Sequence, residues 1–238
     1  TVDHDAYHLA TMELQDPLTI VDVGAHIGSF VIAAKRRWPN AKVVALEPDP
    51  DNLQMLGRNT AHLSDVHIIA AAGGEGATST QWCYPVPDKV HGNSGMGTLT
   101  PTTETPITVT VRELPEVIAM HGGCCDLLKM DCEGAEAAIL RTIHRAGLLP
   151  HIRYIVGEWH GLASRVEVTQ LLAPTHTITW VDGTPTLGLF YATRSAQHVS
   201  LEWGSIDQTE QPQAQAIAQW FQAQGVRSVY DIGCGPGT

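Results

Sequence analysis

From Thr19 onward, short apolar runs alternate with stretches whose apolar residues recur at helical spacing. Thr19–Val23 and Lys42–Leu46 are runs of strand length, the second rich in β-branched residues; residues 29–38 between them have helical spacing and stop at Pro39. These three segments predict a βαβ unit. A helix over 51–63, introduced by Pro48-Asp49-Pro50, and a third strand over 66–71 extend it, and Gly73-Gly74-Glu75-Gly76 ends that strand in a turn. Regularity returns with a strand over 107–111, a short helix over 113–120, a strand over 126–130, a helix over 135–145 ended by Gly147, and a buried strand over 152–158. Residues 164–172 predict a helix, and 176–181 with 187–193 an antiparallel pair around Asp182-Gly183-Thr184-Pro185. This order predicts an α/β fold with a mostly parallel sheet and helices on both faces.

Two regions break the rhythm. Residues 77–106 are rich in Thr, Ser, Pro and Gly with isolated Trp82, Tyr84 and Met96, longer than an ordinary loop, and predict a partly ordered cover over a site. Residues 1–17 are expected to be a helical lead-in to a main domain at 18–194, followed by a linker and an Ala/Gln helix at 195–225. At 226–238 the strand-to-glycine pattern returns as Val229-Tyr230-Asp231-Ile232-Gly233-Cys234-Gly235-Pro236-Gly237-Thr238, stopping where its helix should begin. That half motif predicts a chain cut from something longer, with function residing in the first copy.

The 238 residues are 43% hydrophobic and 16% charged, without a run of about 18 apolar residues. Folding in water and no membrane partner are expected. Lys plus Arg number 14 against 25 Asp plus Glu, a net charge of −11, which repels phosphate backbones and predicts no nucleic-acid partner. Five cysteines show neither CxxC pairs nor zinc-ligand spacing, and no basic-then-apolar leader opens the chain, so a reduced, cytoplasmic protein is expected.

The candidate chemistry gathers at predicted strand ends. In Asp22-Val23-Gly24-Ala25-His26-Ile27-Gly28, Gly24 permits a sharp turn against a ligand and Gly28 lets the next helix pack close to the strand, whose N-terminal N–H groups suit a carboxylate or phosphate. His26 stands where a dinucleotide fingerprint has its second glycine, which argues against a pyrophosphate cofactor. Glu47, at the end of the second strand, is placed to accept hydrogen bonds from ribose hydroxyls. At the end of the 126–130 strand, Asp131 and Glu133 would share one side of an extended chain, while Glu136 reads as an acid offsetting a helix dipole and Glu133 equally as a helix-start residue. Glu158 and His160 add a carboxylate and an imidazole to that edge; His160 could accept a proton, could serve with Asp131 and Glu158 as a divalent-cation ligand, or could be structural.

The set Val21-Asp22-Val23-Gly24-Ala25-His26-Ile27-Gly28, Ala45-Leu46-Glu47-Pro48, Leu128-Lys129-Met130-Asp131-Cys132-Glu133-Gly134-Ala135-Glu136 and Ile155-Val156-Gly157-Glu158-Trp159-His160 resembles the FkbM-type methyltransferases over residues 18–194. The resemblance implies a Rossmann-like, seven-stranded class I sheet, mostly parallel with an antiparallel last strand. It implies S-adenosylmethionine held by Asp22, Gly24, His26, Gly28 and Glu47, and methylation of a hydroxyl on a small molecule such as a sugar or polyketide. His26 replaces a common Asn and Cys132 a common aliphatic residue. Asp131, His160 and Glu158 are the expected catalytic residues, with no metal expected. The competing functions are a non-catalytic methyltransferase-like binding domain and an NAD-dependent oxidoreductase.

Overall fold

Strand and helix alternate up to Ser195 in a computed structural model that describes residues 5, 7–76, 79–83 and 106–195. The chain divides into two units, Thr1–Ser195 and Ala196–Thr238, and the described residues belong to the first. The expected linker, Ala/Gln helix and repeated glycine motif beyond Ser195 lie outside them, as does most of the expected cover at 77–106.

In chain order the elements are β1 (Thr19–Val23), α1 (Ser29–Arg37), β2 (Lys42–Leu46), α2 (Pro50–Thr60), β3 (Val66–Ile69), β4 (Ala72–Gly73), β5 (Ser79–Cys83), β6 (Pro106–Arg112), α3 (Leu114–Met120), β7 (Leu127–Met130), α4 (Glu136–Arg145), β8 (Tyr154–His160), α5 (Leu162–Leu172), β9 (His176–Thr184) and β10 (Leu187–Arg194). Seven strands form one sheet in the order β3-β2-β1-β7-β8-β10-β9. The first five are parallel, and β10, last in sequence, runs antiparallel to both its neighbours. The fold is therefore the expected α/β class.

Period-two alternation places the two cores. Ile20, Val43, Leu127 and Val156 pack on one face with Phe30, Val31 and Ala34 of α1 and Leu56 of α2. Val21, Val44, Leu128 and Ile155 point to the other face, against Leu114 of α3, Ile139 and Leu140 of α4 and Leu172 of α5. Burying such side chains is worth about 1.5–3 kcal/mol each, which holds the helices to both faces. Local chemistry fixes where helices begin: Asp49 accepts from the N–H groups of Asp51 and Asn52 ahead of Pro50, setting the start of α2.

Three expectations change. The strand at 107–111 forms, as β6, but joins β4 and β5 in a separate three-stranded sheet in the order β4-β6-β5. Residues 79–83, expected to be irregular, form β5; their composition lacks an apolar strand pattern, and antiparallel pairing with β6 makes the strand. In the lead-in, only Leu9–Thr11 is helical among the described residues, a single 3₁₀ turn. Leu9, Met12, Leu14 and Leu18 bury there without a helical stripe, packed in the α1 core.

Because β1, β2, β7 and β8 are parallel, their C-terminal ends meet at one edge, where open α/β sheets collect ligands. Every candidate site residue lies on a strand end or loop of that edge.

Candidate active site

The loop after β1 is built by close approach. Gly24 has φ 76°, and a Cβ there would lie 1.9 Å from the carbonyl oxygen of Asp131. Gly24 and Ala25 donate to the Leu46 carbonyl at 3.0 and 2.9 Å, so the loop leans across β2 as well. At Gly28, φ 90°, a Cβ would meet Leu56 Cδ1 at 2.8 Å, which explains how α1 packs on α2. His26 takes φ 51° and keeps its side chain, so the position is left-handed without being open. Its backbone N–H donates to Glu47 Oε2 at 2.7 Å, and Asp49 N–H donates to Oε1 at 2.9 Å. Gly24, His26, Gly28 and Glu47 thus come together, with the 4%-exposed Glu47 tied to the loop. At α1 no side chain caps the N-terminus, so its first N–H groups could hold an anionic group of a cofactor.

Asp22 sits differently. It is fully buried, and its Oδ1 lies 3.0 Å from Lys129 Nζ, its register partner on β7. Lys129 also donates to the Gly24 carbonyl at 2.7 Å. Burial works against the Lys129 charge, but Asp22 and Asp131 more than offset it and raise its pKa. Asp22 therefore acts on the glycine loop through Lys129, a residue that the sequence motifs did not single out.

Asp131, Glu133, Glu136, Glu158 and His160 converge at the ends of β7 and β8. His160 Nδ1 is 3.0 Å from Glu136 Oε1, and Nε2 is 3.3 Å from Glu133 Oε2 and 3.6 Å from Glu158 Oε2. Glu136 stands in the first turn of α4, as expected of an acid at a helix start, but it is also fully buried, and the same Oε1 accepts from Gly134 N–H at 3.1 Å. The chain does not stay extended through Cys132. β7 ends at Met130, and Glu133 reaches Asp131 and His160 from a left-handed turn at φ 52°.

The electrostatics revise the role of His160. Burial alone would lower its pKa, but the hydrogen bond and charge of Glu136, with Glu133 and Asp131 nearby, push it up to about 9. The protonated imidazole is therefore the favoured form at neutral pH, and of the readings open to His160 this supports an ion-pairing role over that of a base. Burial pushes Glu133 up to about 7, despite the opposing pull of His160. Burial and Asp131 likewise raise Glu158. Ligand atoms of Asp131, Glu133 and His160 lie within 4.8 Å of one another, the group among the described residues that could hold a cation. Glu133, not Glu158, completes it, and coordination would require His160 to give up its proton.

A pH dependence follows. Folding raises the His160 pKa from 6.5 to about 9, so its contribution to stability is complete below 6.5 and is lost as pH rises through 9. Glu133, raised from 4.5 to about 7, loses its share earlier, between those values. Urea midpoints are expected to fall from pH 6.5 to 9, and His160→Gln to flatten that fall; an equal slope in the variant would contradict the assignment.

Among the described residues, no helix is long and apolar enough to cross a membrane. Two fungal proteins are similar to this chain. Methyltransferase sdnD of Sordaria araneosa is 28% identical over 187 residues, covering 64% of this chain and 71% of that protein. Methyltransferase 1 of Beauveria bassiana (strain ARSEF 2860) is 30% identical over 151 residues, covering 54% and 59%. The solved structure of methyltransferase FkbM from Methylobacillus flagellatus KT shares the fold, with a TM-score of 0.57 at 21% identity, covering 77% of this chain and 45% of that one. The chain thus spans less than half of that bacterial protein. The model of the methyltransferase FkbM domain matches residues 22–228, most of the sequence, and the chain belongs to that family.

Proposed function

We propose that this chain binds S-adenosylmethionine in the β1–β2 loop pocket and transfers its methyl group to a hydroxyl of a small molecule. The observation that carries the reading is the abutment of Gly24 on the Asp131 carbonyl, which sets a cofactor-type loop directly against a carboxylate-rich edge. Glu47 suits a ribose diol and the uncapped start of α1 suits the carboxylate of an amino acid. The His26 side chain, at a left-handed position where a dinucleotide loop needs glycine, disfavours a pyrophosphate and hence NAD.

When bound, S-adenosylmethionine supplies an electrophilic methyl on a sulfonium, already a good leaving group. The chain therefore needs chiefly to align the acceptor and receive its proton. Glu133, with a pKa of about 7, is matched to that proton transfer, while His160 balances the negative charge and holds Glu133 in place. Asp131 and Glu158 supply the rest of the polar wall. A net charge of −11 favours a small neutral acceptor over nucleic acid.

Glu133→Gln is expected to lower kcat by about 10²–10⁴ while leaving affinity for S-adenosylmethionine within about twofold; unchanged kcat would remove Glu133 as the base. The grouping of Asp131, Glu133 and His160 also supports a second reading, in which a divalent cation lowers the hydroxyl pKa. Loss of turnover on chelation, restored by Mg²⁺ or Mn²⁺, would favour it. Cofactor binding without turnover on any hydroxyl acceptor would favour a binding domain.

A further inference from the structure

We propose that Tyr7, in the segment preceding β1, is a positioning residue of the transfer site, fixing the Asp131 carboxylate against the cofactor loop. The inference rests on Asp131 facing the acceptor.

The Tyr7 hydroxyl donates to Asp131 Oδ2 at 3.2 Å, across 124 residues of sequence. Its ring meets Phe30 edge-on at 5.5 Å, at the start of α1 just past the glycine loop. Lys129 Nζ lies 5.8 Å from the Tyr7 ring and 5.9 Å from that of Phe30. The same ammonium holds Asp22 and the Gly24 carbonyl. Tyr7 and Lys129 therefore join the acceptor-side carboxylate to the loop that carries the cofactor. Burial first, then the charges of Asp131 and Glu158, push the Tyr7 pKa far up, so the phenol remains a donor. One Asp131 oxygen held by that donor fixes the carboxylate's rotation and leaves the other oxygen for an acceptor.

The segment is anchored without this hydroxyl. Asp5 accepts from the N–H groups of Leu9 and Ala10 at 2.7 and 2.9 Å, and the His8 ring stacks on Tyr191 at 4.5 Å. Trp38 Nε1 donates to the Leu14 carbonyl at 3.2 Å, and Leu9 and Met12 are buried. Tyr7→Phe therefore removes one hydrogen bond and leaves the packing intact.

The test compares Tyr7→Phe, Asp131→Asn and the double variant, with S-adenosylmethionine as donor, methyl glycosides and simple phenols as acceptors, and S-adenosylhomocysteine formed as the readout. One hydrogen bond to a charged group corresponds to a loss of about tenfold or more in kcat for Tyr7→Phe. Calorimetric affinity for S-adenosylhomocysteine is expected to stay at the wild-type value, and the thermal midpoint to fall by only the few degrees that one lost hydrogen bond corresponds to. The double variant is expected to be no slower than Asp131→Asn, because the phenol acts through that carboxylate. Wild-type kcat in Tyr7→Phe beside a slow Asp131→Asn overturns the proposal alone, as does a full multiplicative loss in the double variant. Asp131→Asn at the wild-type rate, or no turnover by the wild-type chain on any of these acceptors, overturns the reading beneath it as well.

Discussion

Replacing Lys129 with methionine is expected to destabilise the fold by about 3–5 kcal/mol, because it strands the buried Asp22 carboxylate without a counter-charge. The two side chains are neighbours in register on β1 and β7, both essentially inaccessible, with Asp22 Oδ1 3.0 Å from Lys129 Nζ. Removing the ammonium also takes a donor from the Gly24 carbonyl. Asp22→Leu combined with Lys129→Met is expected to recover much of the lost stability, since an apolar pair of similar volume carries no desolvation penalty. The measurement is urea unfolding of wild type, both single variants and the double variant. A single Lys129→Met loss below about 1 kcal/mol, the range of an exposed pair, would show that the pair is hydrated and not closed into the sheet. Recovered stability with weakened cofactor affinity in the double variant would assign the pair to loop geometry rather than to folding.

Glu47→Ala is expected to weaken S-adenosylmethionine affinity by about 100-fold or more. The carboxylate holds His26 N–H through Oε2 at 2.7 Å and Asp49 N–H through Oε1 at 2.9 Å; Oε1 also accepts from Asn52 Nδ2 at 3.4 Å, so Oε2 retains the lone pair for a ribose hydroxyl. A hydrogen bond to a charged acceptor is worth about 1.5–3 kcal/mol, and its loss together with the tie that fixes the His26 loop accounts for such a change. Glu47→Gln keeps one acceptor oxygen and is expected to lie between wild type and alanine. Calorimetric titration measures all three; wild-type affinity in the alanine variant would place the ribose elsewhere.

The parts of the molecule that could be read along the chain are those governed by local rules. β1, β2, β7 and β8 are dense apolar runs, and the glycines at 24 and 28 announce a turn whose purpose the structure supplies: contact with Asp131 and with Leu56. What could not be read depends on pairing at a distance. Nothing within Ser79–Cys83 marks it as a strand before β6 is placed beside it. Glu136 looks like an ordinary first-turn acid until His160, 24 residues later, returns to its carboxylate. The pull of Glu136 and its neighbours raises the pKa of the imidazole and favours its protonated form, which no local pattern announces. Lys129 did carry a signal: a cation within an apolar strand, matched by an acid within another, predicts a buried pair once the strands are taken as neighbours. Tyr7 carried none, because the segment around it is held by irregular packing.

The most direct test of the central claim is calorimetric titration of the wild-type chain with S-adenosylmethionine, S-adenosylhomocysteine and NAD in parallel. Saturable binding of both adenosyl compounds at one site, with no heat from NAD, is the predicted result. Binding of NAD in preference to S-adenosylmethionine, or no binding of either adenosyl compound, would contradict the assignment of the β1–β2 loop to a methyl donor.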